Sequence, residues 1–197
     1  MLKRIFDILL SALGLLLLMP IFILVIIWVK FDSRGPAFYK QVRVGQYGRD
    51  FKLLKFRSMR MGSDKSGLLT IGGRDPRVTR SGYFIRKYKI DELPQLINVL
   101  IGEMSLVGPR PEVRKYVDLY SAEQQKVLLV KPGLTDLASL EYFNENELLA
   151  QSTDPERTYI DSVMPDKLKL NLKYIDQAGL VADVKIILRT IYRVVFR

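Results

Sequence analysis

The chain has 197 residues, a net charge of +10, and neither histidine nor cysteine. Imidazole bases, thiolate nucleophiles, disulfides and His/Cys zinc sites are thereby excluded, so any catalysis must use carboxylates, lysine, hydroxyls or a hard metal bound through oxygen. The excess of Lys and Arg, 31 against 21 Asp and Glu, suits anionic lipid headgroups or phosphorylated ligands; no recognised binding motif points to nucleic acid, which is not an expected partner.

Leu9 to Val29 carry no charge and are almost all apolar, with Pro20 near their middle. About 20 apolar residues cross a hydrocarbon core roughly 30 Å thick. Proline removes a helix hydrogen bond and can kink or break the helix. Lys3 and Arg4 precede the segment, and Lys30, Arg34, Lys40 and Arg43 follow it. Lys and Arg are retained on the cytoplasmic side, so both flanks ask for the same face. A straight span satisfies one flank; a helix broken at Pro20 that enters one leaflet and returns satisfies both. The sequence therefore favours a re-entrant helix hairpin over residues 1–34, beneath a single domain of residues 35–197. An ordinary transmembrane anchor is the alternative, since such helices tolerate proline.

Residues 37–44 and 51–56 alternate as two short strands around the turn-forming Gly45-Gln46-Tyr47-Gly48. Residues 61–76, rich in Gly and Ser, read as a mobile loop. A short basic helix is predicted over 81–89, and another from Asp91 to just before Gly102. Met104 to Val107 reads as a strand. Further helix starts fall at Ser121, Asn144, Asp154-Pro155 and Pro165, each with a capping residue or an early proline. A final helix begins at Asp183, where Lys185, Arg189 and Arg193 form one stripe opposite Ile187, Ile191, Val194 and Val195. It fits a membrane surface or a solvated face equally well. The expected fold class is α+β, mostly helical: an N-terminal kinked membrane helix, a small β-hairpin, short helices and an amphipathic C-terminal helix.

The chemistry concentrates at Arg86-Lys87-Tyr88-Lys89-Ile90-Asp91-Glu92-Leu93-Pro94-Gln95. Asp91 would cap the helix and Glu92 would be its first residue. Backbone N–H groups and the helix dipole would then lower the carboxylate pKa. An ionised aspartate among cations is a competent nucleophile toward a phosphoryl group, and its neighbour can help hold Mg²⁺ together with substrate phosphates. Asp91 and Glu92 are thus both catalytic and metal-ligand candidates, although an Asp-Glu pair opening a helix is most often only a cap. Gly108-Pro109-Arg110-Pro111 sets an arginine in a stiff turn, and Lys55-Phe56-Arg57-Ser58-Met59-Arg60 ends the second strand with three cations. Together these clusters point to a phosphate-handling site at a bilayer surface.

KFRSM at 55–59, DPRVTRSG at 75–82, IDELPQLINVL at 90–100, MSLVGPRPE at 104–112 and KPGLT at 131–135 resemble the bacterial sugar transferase family. More narrowly they are similar to its monotopic phosphoglycosyl transferases, in a minimal catalytic form. The resemblance implies transfer of a sugar 1-phosphate from a UDP-sugar, commonly an N-acetylated amino sugar, to a polyprenol phosphate such as undecaprenyl phosphate, with release of UMP. It implies a covalent phosphosugar intermediate on Asp91, Glu92 as its dyad partner, and Mg²⁺. Lys55, Arg86 and Arg110 would lie near the substrate phosphates, and Asp183 would be a further family acid. A re-entrant helix, the cytoplasmic face of a bacterial inner membrane and contact with membrane lipids follow from the same resemblance, which leaves a homodimer open. The chain departs from the family's pattern at Met19-Pro20, where Ser-Pro is common, at Thr135-Asp136, and at Phe143, where an arginine is expected. A direct ternary-complex transferase and a non-catalytic basic scaffold at the membrane are the alternatives.

Overall fold

The computed structural model describes residues 1–63, 69–72 and 75–196. Residues 64–68, 73 and 74 of the expected mobile loop lie outside the described residues. The mostly helical α+β class is as expected.

Helix α1 spans Leu2–Asp32, 31 residues, or about 46 Å at 1.5 Å per residue. Pro20 lies within it, and no non-helical residue separates its two halves. The break that the sequence allowed at Pro20 is therefore absent. One stripe of α1 faces the rest of the protein along its length: Asp7, Ser11, Val25 and Val29 are buried, and Phe6, Leu15, Leu18, Phe22 and Ile26 are partly so. Leu9, Leu13, Leu16, Leu17 and Leu24 on the other faces are exposed.

Both ends of α1 are clamped. Near its start, Lys3 Nζ donates to Val107 O at 3.1 Å and pairs with Asp183, while Arg4 donates to Val99 O and Leu100 O at 2.6 and 2.8 Å. Asp7 accepts from Ser105 Oγ and Leu106 N. At its end, the buried Arg57 donates to Val29 O, Ser33 O and Arg34 O, so one guanidinium holds the last turn of α1 and the two residues after it. Asp32 accepts from Ser81 N and Oγ at 2.9 and 2.8 Å.

Strands β1 (Phe38–Val44) and β2 (Asp50–Phe56) form the predicted antiparallel hairpin, with Tyr39 opposite Lys55. Its turn uses left-handed Tyr47 and Gly48. Side chains alternate along a strand, so Lys55 shares the inward face with Leu53, which is how a lysine comes to be largely buried here. Helix α2 (Arg80–Lys87) starts on Thr79, whose hydroxyl accepts from Gly82 N.

A 3₁₀ turn, Ile90–Glu92, follows, and only then α3 (Gln95–Ile101), with Pro94 at its N-cap. Asp91 is therefore not the cap of α3, nor Glu92 its first residue. The chain enters the turn through Lys89 in a left-handed conformation (φ 56°), which breaks the helical path between α2 and α3. Asn98 of α3 donates to Lys52 O and accepts from Leu54 N. It thereby closes the free edge of β2 and fixes the hairpin against α3.

Strand β3 (Ser105–Val107) pairs in parallel with β4 (Gly133–Thr135), which the sequence reading left unassigned. Beyond β3 come α4 (Arg114–Val117), a 3₁₀ stretch Gln124–Leu129 behind Ser121, α5 (Leu137–Glu141), α6 (Glu145–Ala150), α7 (Pro155–Thr158), α8 (Met164–Asp176) and α9 (Leu180–Val195). Ser121 thus opens a 3₁₀ stretch, not an α-helix. The last helix begins three residues before Asp183, which is itself buried. On α9 the Lys185, Arg189 and Arg193 stripe flanks exposed Val184, Leu188, Ile191 and Val195. One apolar cluster joins α4, α6, the stretch Tyr159–Val163 and α8 around Tyr116, Tyr159 and Met164; two others pack α1 against α3, β3 and α9, and against β2 and α2.

Candidate active site

The 3₁₀ turn lays Asp91 and Glu92 side by side, 5% and 9% exposed, between cations from three elements. From β2, Lys55 Nζ reaches Glu92 Oε1 at 3.0 Å. From the turn after β3, Arg110 straddles the same carboxylate, with Nη1 3.2 Å from Oε2 and Nη2 against Oε1. Arg86, near the end of α2, is half-buried and donates to Thr70 Oγ1 at 2.9 Å. Its charge, with those of Lys55 and Lys89, acts on Asp91. Lys55, Arg86 and Arg110 thus surround both acids, whereas Arg57, from the same sequence cluster as Lys55, holds the end of α1 instead.

The two carboxylates differ sharply. Burial opposes the charge on Glu92, but Arg110, Lys55 and Lys89 outweigh it and hold this carboxyl well below its usual range. Asp91 goes the other way. Burial, then the neighbouring Glu92 charge, push its carboxyl above the ordinary value, despite Lys55, Arg86 and Lys89. This corrects the expectation that a helix terminus would lower it: desolvation and a like charge exceed any dipole benefit, and α3 starts beyond both residues. Burial also lowers the Lys55 ammonium, Glu92 opposing and Arg110 assisting. The Glu92 charge raises Arg110 further, against its burial.

Among the described residues, no side chain or backbone group donates a hydrogen bond to the Asp91 carboxylate, and no ion pair within 4.0 Å holds it. A buried acid without a dedicated partner is costly, and such groups cluster where chemistry is done. Four residues on, Gln95 Nε2 is buried and likewise unmatched.

The donors available for Mg²⁺ are hard oxygens, but among the described residues no group of three acidic or metal-binding side chains converges. Both Glu92 oxygens face Arg110, and one also faces Lys55. Asp91 is the donor left open. This set fits an ion held by one carboxylate and completed by substrate phosphates and water. Glu92 would join only by giving up a cation.

Asp183 stands apart. It accepts from Lys3 and Tyr174 and ties the start of α1 to α9, which is a structural role. Phe143 lies between two cations, with Lys89 Nζ 5.7 Å and Arg193 Cζ 5.1 Å from its ring centroid.

Sequence reasoning missed several supports. Lys89 was read only as one of a run, although its left-handed backbone aims the turn. Asp136 is fully buried, accepts from Arg110 N at 3.2 Å and caps α5 through Ser139 N. Glu112 accepts from Arg43 at 2.8 Å and from the Tyr159 hydroxyl, while Arg43 also holds Pro111 O. Arg110 thus sits between two anchored residues. Charged residues flanking the two prolines were the only sequence signal.

These residues fall in segments shared with known proteins. The family model for bacterial sugar transferase matches residues 1–197. The chain is 38% identical over 192 residues to UDP-N-acetylgalactosamine-undecaprenyl-phosphate N-acetylgalactosaminephosphotransferase of Aeromonas hydrophila, covering 96% of this chain and 42% of that protein. It is 35% identical over 197 residues to UDP-glucose:undecaprenyl-phosphate glucose-1-phosphate transferase of Escherichia coli, covering 98% of this chain and 40% of that one. The exopolysaccharide production protein ExoY of Rhizobium meliloti is 35% identical over 206 residues, with 97% of this chain and 84% of the relative covered. The chain therefore spans about two-fifths of two of these relatives and most of the third. A match from the first residue to the last, through every segment that builds the acid pair and its cations, makes the chain a member of the bacterial sugar transferase family.

Proposed function

We propose that this chain transfers a sugar 1-phosphate from a UDP-sugar to undecaprenyl phosphate, with Asp91 as the nucleophile. The observation that carries this reading is the contrast within the acid pair. Glu92 is neutralised by Lys55 and Arg110, whereas Asp91 is buried, unpartnered and faced by cations at longer range. In the first step an Asp91 carboxylate oxygen attacks the β-phosphorus of the donor. The bond from that phosphorus to the bridging oxygen breaks, and UMP leaves with the electron pair. In the second, a phosphate oxygen of the lipid attacks the same phosphorus and the Asp91 carboxylate is released. Two displacements let a soluble donor and a lipid acceptor use one small site in turn.

Lys55, Arg86 and Lys89 offset charge on the transferred phosphoryl group, in a site where few waters compete. Arg110 and Lys55 keep Glu92 ionised, and that fixed negative charge in turn holds the two cations in place. Mg²⁺, when bound by Asp91 and the donor phosphates, would neutralise the diphosphate. Relatives named for UDP-glucose and for UDP-N-acetylgalactosamine make these the first donors to test; an N-acetylated amino sugar is our choice.

The decisive measurement is intact mass after incubation with donor alone. Wild type is expected to gain one phosphosugar. Asp91→Asn is expected to gain none and to lose at least about 10³-fold in UMP release. A fully active Asp91→Asn chain would sink the proposal.

The clamps at both ends of α1 support a monotopic arrangement at the cytoplasmic face. Lys3 and Arg4 at one end, and Asp32 with the Arg57-bound carbonyls at the other, engage the same domain. A perpendicular span would have to carry one set of clamps across about 30 Å of hydrocarbon.

A further inference from the structure

We propose that the exposed aromatic ladder Trp28–Phe84–Tyr88, where α1 meets α2, is the track for the isoprenoid tail of the lipid phosphate acceptor. This rests on the transferase reading above and adds where the acceptor lies. The Trp28 and Phe84 ring centroids are 5.4 Å apart, and those of Phe84 and Tyr88 4.8 Å apart. Rings in mutual contact are normally a means of burial, yet these stay 43%, 44% and 37% exposed. They are not part of the core, because α2 turns Ser81, Gly82 and Ile85 inward. The result is a continuous apolar strip, partly exposed along its length.

Its two ends have opposite chemistry. At one end Trp28 belongs to the apolar surface of α1, beside exposed Leu24, Ile27 and Phe31. At the other, Tyr88 lies amid Arg86, Lys87 and Lys89. Lys87 Nζ sits 5.5 Å from the Tyr88 ring centroid, and Arg86 and Lys89 both act on the Asp91 carboxyl. A strip that begins in hydrocarbon and ends in cations beside a buried acid complements one kind of molecule: a long apolar chain ending in a single phosphate. A soluble phosphorylated ligand would use the cations and leave the rings idle. Bulk lipid would need the rings but no gradient toward a carboxylate. The ladder also accounts for the spacing of its members, since Tyr88, the cap at the end of α2, follows Phe84 by one helical turn.

The test compares full-length wild type, Trp28→Ala and the double variant Phe84→Ala/Tyr88→Ala in lipid nanodiscs. UDP-glucose or UDP-N-acetylgalactosamine, whichever wild type uses, is the donor. The acceptors are undecaprenyl phosphate and a two-isoprene prenyl phosphate. Both variants are expected to raise the apparent KM for undecaprenyl phosphate about tenfold, the loss of roughly one ring's worth of apolar contact. KM for the donor should stay within about twofold in both variants, and KM for the short acceptor should do so in Trp28→Ala, because the donor does not reach the rings and a two-isoprene tail ends before Trp28. Equal losses with long and short acceptors in Trp28→Ala, or an unchanged KM for undecaprenyl phosphate, would overturn the proposal. So would activity falling in step with vesicle binding, which would make the ladder a bilayer anchor only. If wild type releases no UMP with any donor, the transferase reading fails by itself. The tail is then read directly by photo-crosslinking wild type to a benzophenone-bearing polyprenyl phosphate. Label on residues 28 or 84–88 sustains the track, and label confined elsewhere ends it.

Discussion

Asp91 and Glu92 are adjacent in sequence, yet they sit on opposite sides of the ordinary carboxylate range. The sign matters for pH. A nucleophilic Asp91 must be ionised, and its raised pKa moves the acid limb of activity above the ordinary aspartate value of 3.8. Lys55 must stay charged, and its lowered pKa moves the alkaline limb below the ordinary lysine value of 10.5. The rate profile with pH is therefore expected to be a bell narrowed from both sides, with Lys55→Arg restoring rate on the alkaline side. Stability runs differently. A carboxyl raised on folding disfavours the folded state at every pH above its unfolded value. Asp91→Asn should accordingly raise Tm near neutral pH while abolishing transfer, a trade expected of a strained catalytic group. A fall in Tm on thermal melting at pH 7 would show that Asp91 is stabilising. The sequence pattern singles out the acid pair, but it puts Asp91 at a helix cap and lowers its pKa, and the structure differs on both counts. The burial of Asp91 comes from β2, α2 and the Arg110 turn folding over it, and no local pattern encodes that.

At the scale of elements, the hairpin, α2 and the end of α3 at Gly102 were legible because alternation, charge pattern and a left-handed glycine are local signals. The β3–β4 pair was not. Its strands are three residues each, and their pairing joins segments nearly thirty positions apart. What the motifs MSLVGPRP and KPGLT share becomes visible only in space. A Cβ on Gly133 would lie 2.1 Å from Gly108 N and 2.3 Å from Gly108 O, backbone atoms that cannot swing aside. Gly108 N donates to Thr135 O and Gly133 N to Pro109 O, so these contacts set where Arg110 stands over Glu92. Gly133→Ala should cost about 1–3 kcal/mol by overpacking and lower kcat as well. Gly179→Ala, with open space around its Cβ and an extended φ of −178°, should do neither. Thermal melts and initial rates of the two variants decide it. Equal behaviour would mean that the β3–β4 crossing has slack.

For the whole molecule, hydropathy found α1 but not its attachment. Lys3 and Arg4 read only as flanking charges and Asp32 carries no signal, whereas each is spent on a specific partner in the domain. The absence of cysteine makes topology easy to test. Leu2→Cys and Arg34→Cys, both at exposed sites, should react with an impermeant maleimide in inverted vesicles and resist it in right-side-out ones. Reaction from opposite sides would establish a span and remove the monotopic arrangement.

The docking of α1 also constrains anyone wishing to handle this protein without detergent. Val29 and Ile85 are fully buried in one cluster, and Leu96 and Val99 pack where Leu15 and Leu18 of α1 lie in another. Trimming the greasy leader would strip the lid from both clusters, and in one cut take Lys3 from Asp183 and the Val29 carbonyl from Arg57. A water-soluble fragment would therefore come from repainting the outward leucines of α1 with polar residues, leaving its inner seam intact.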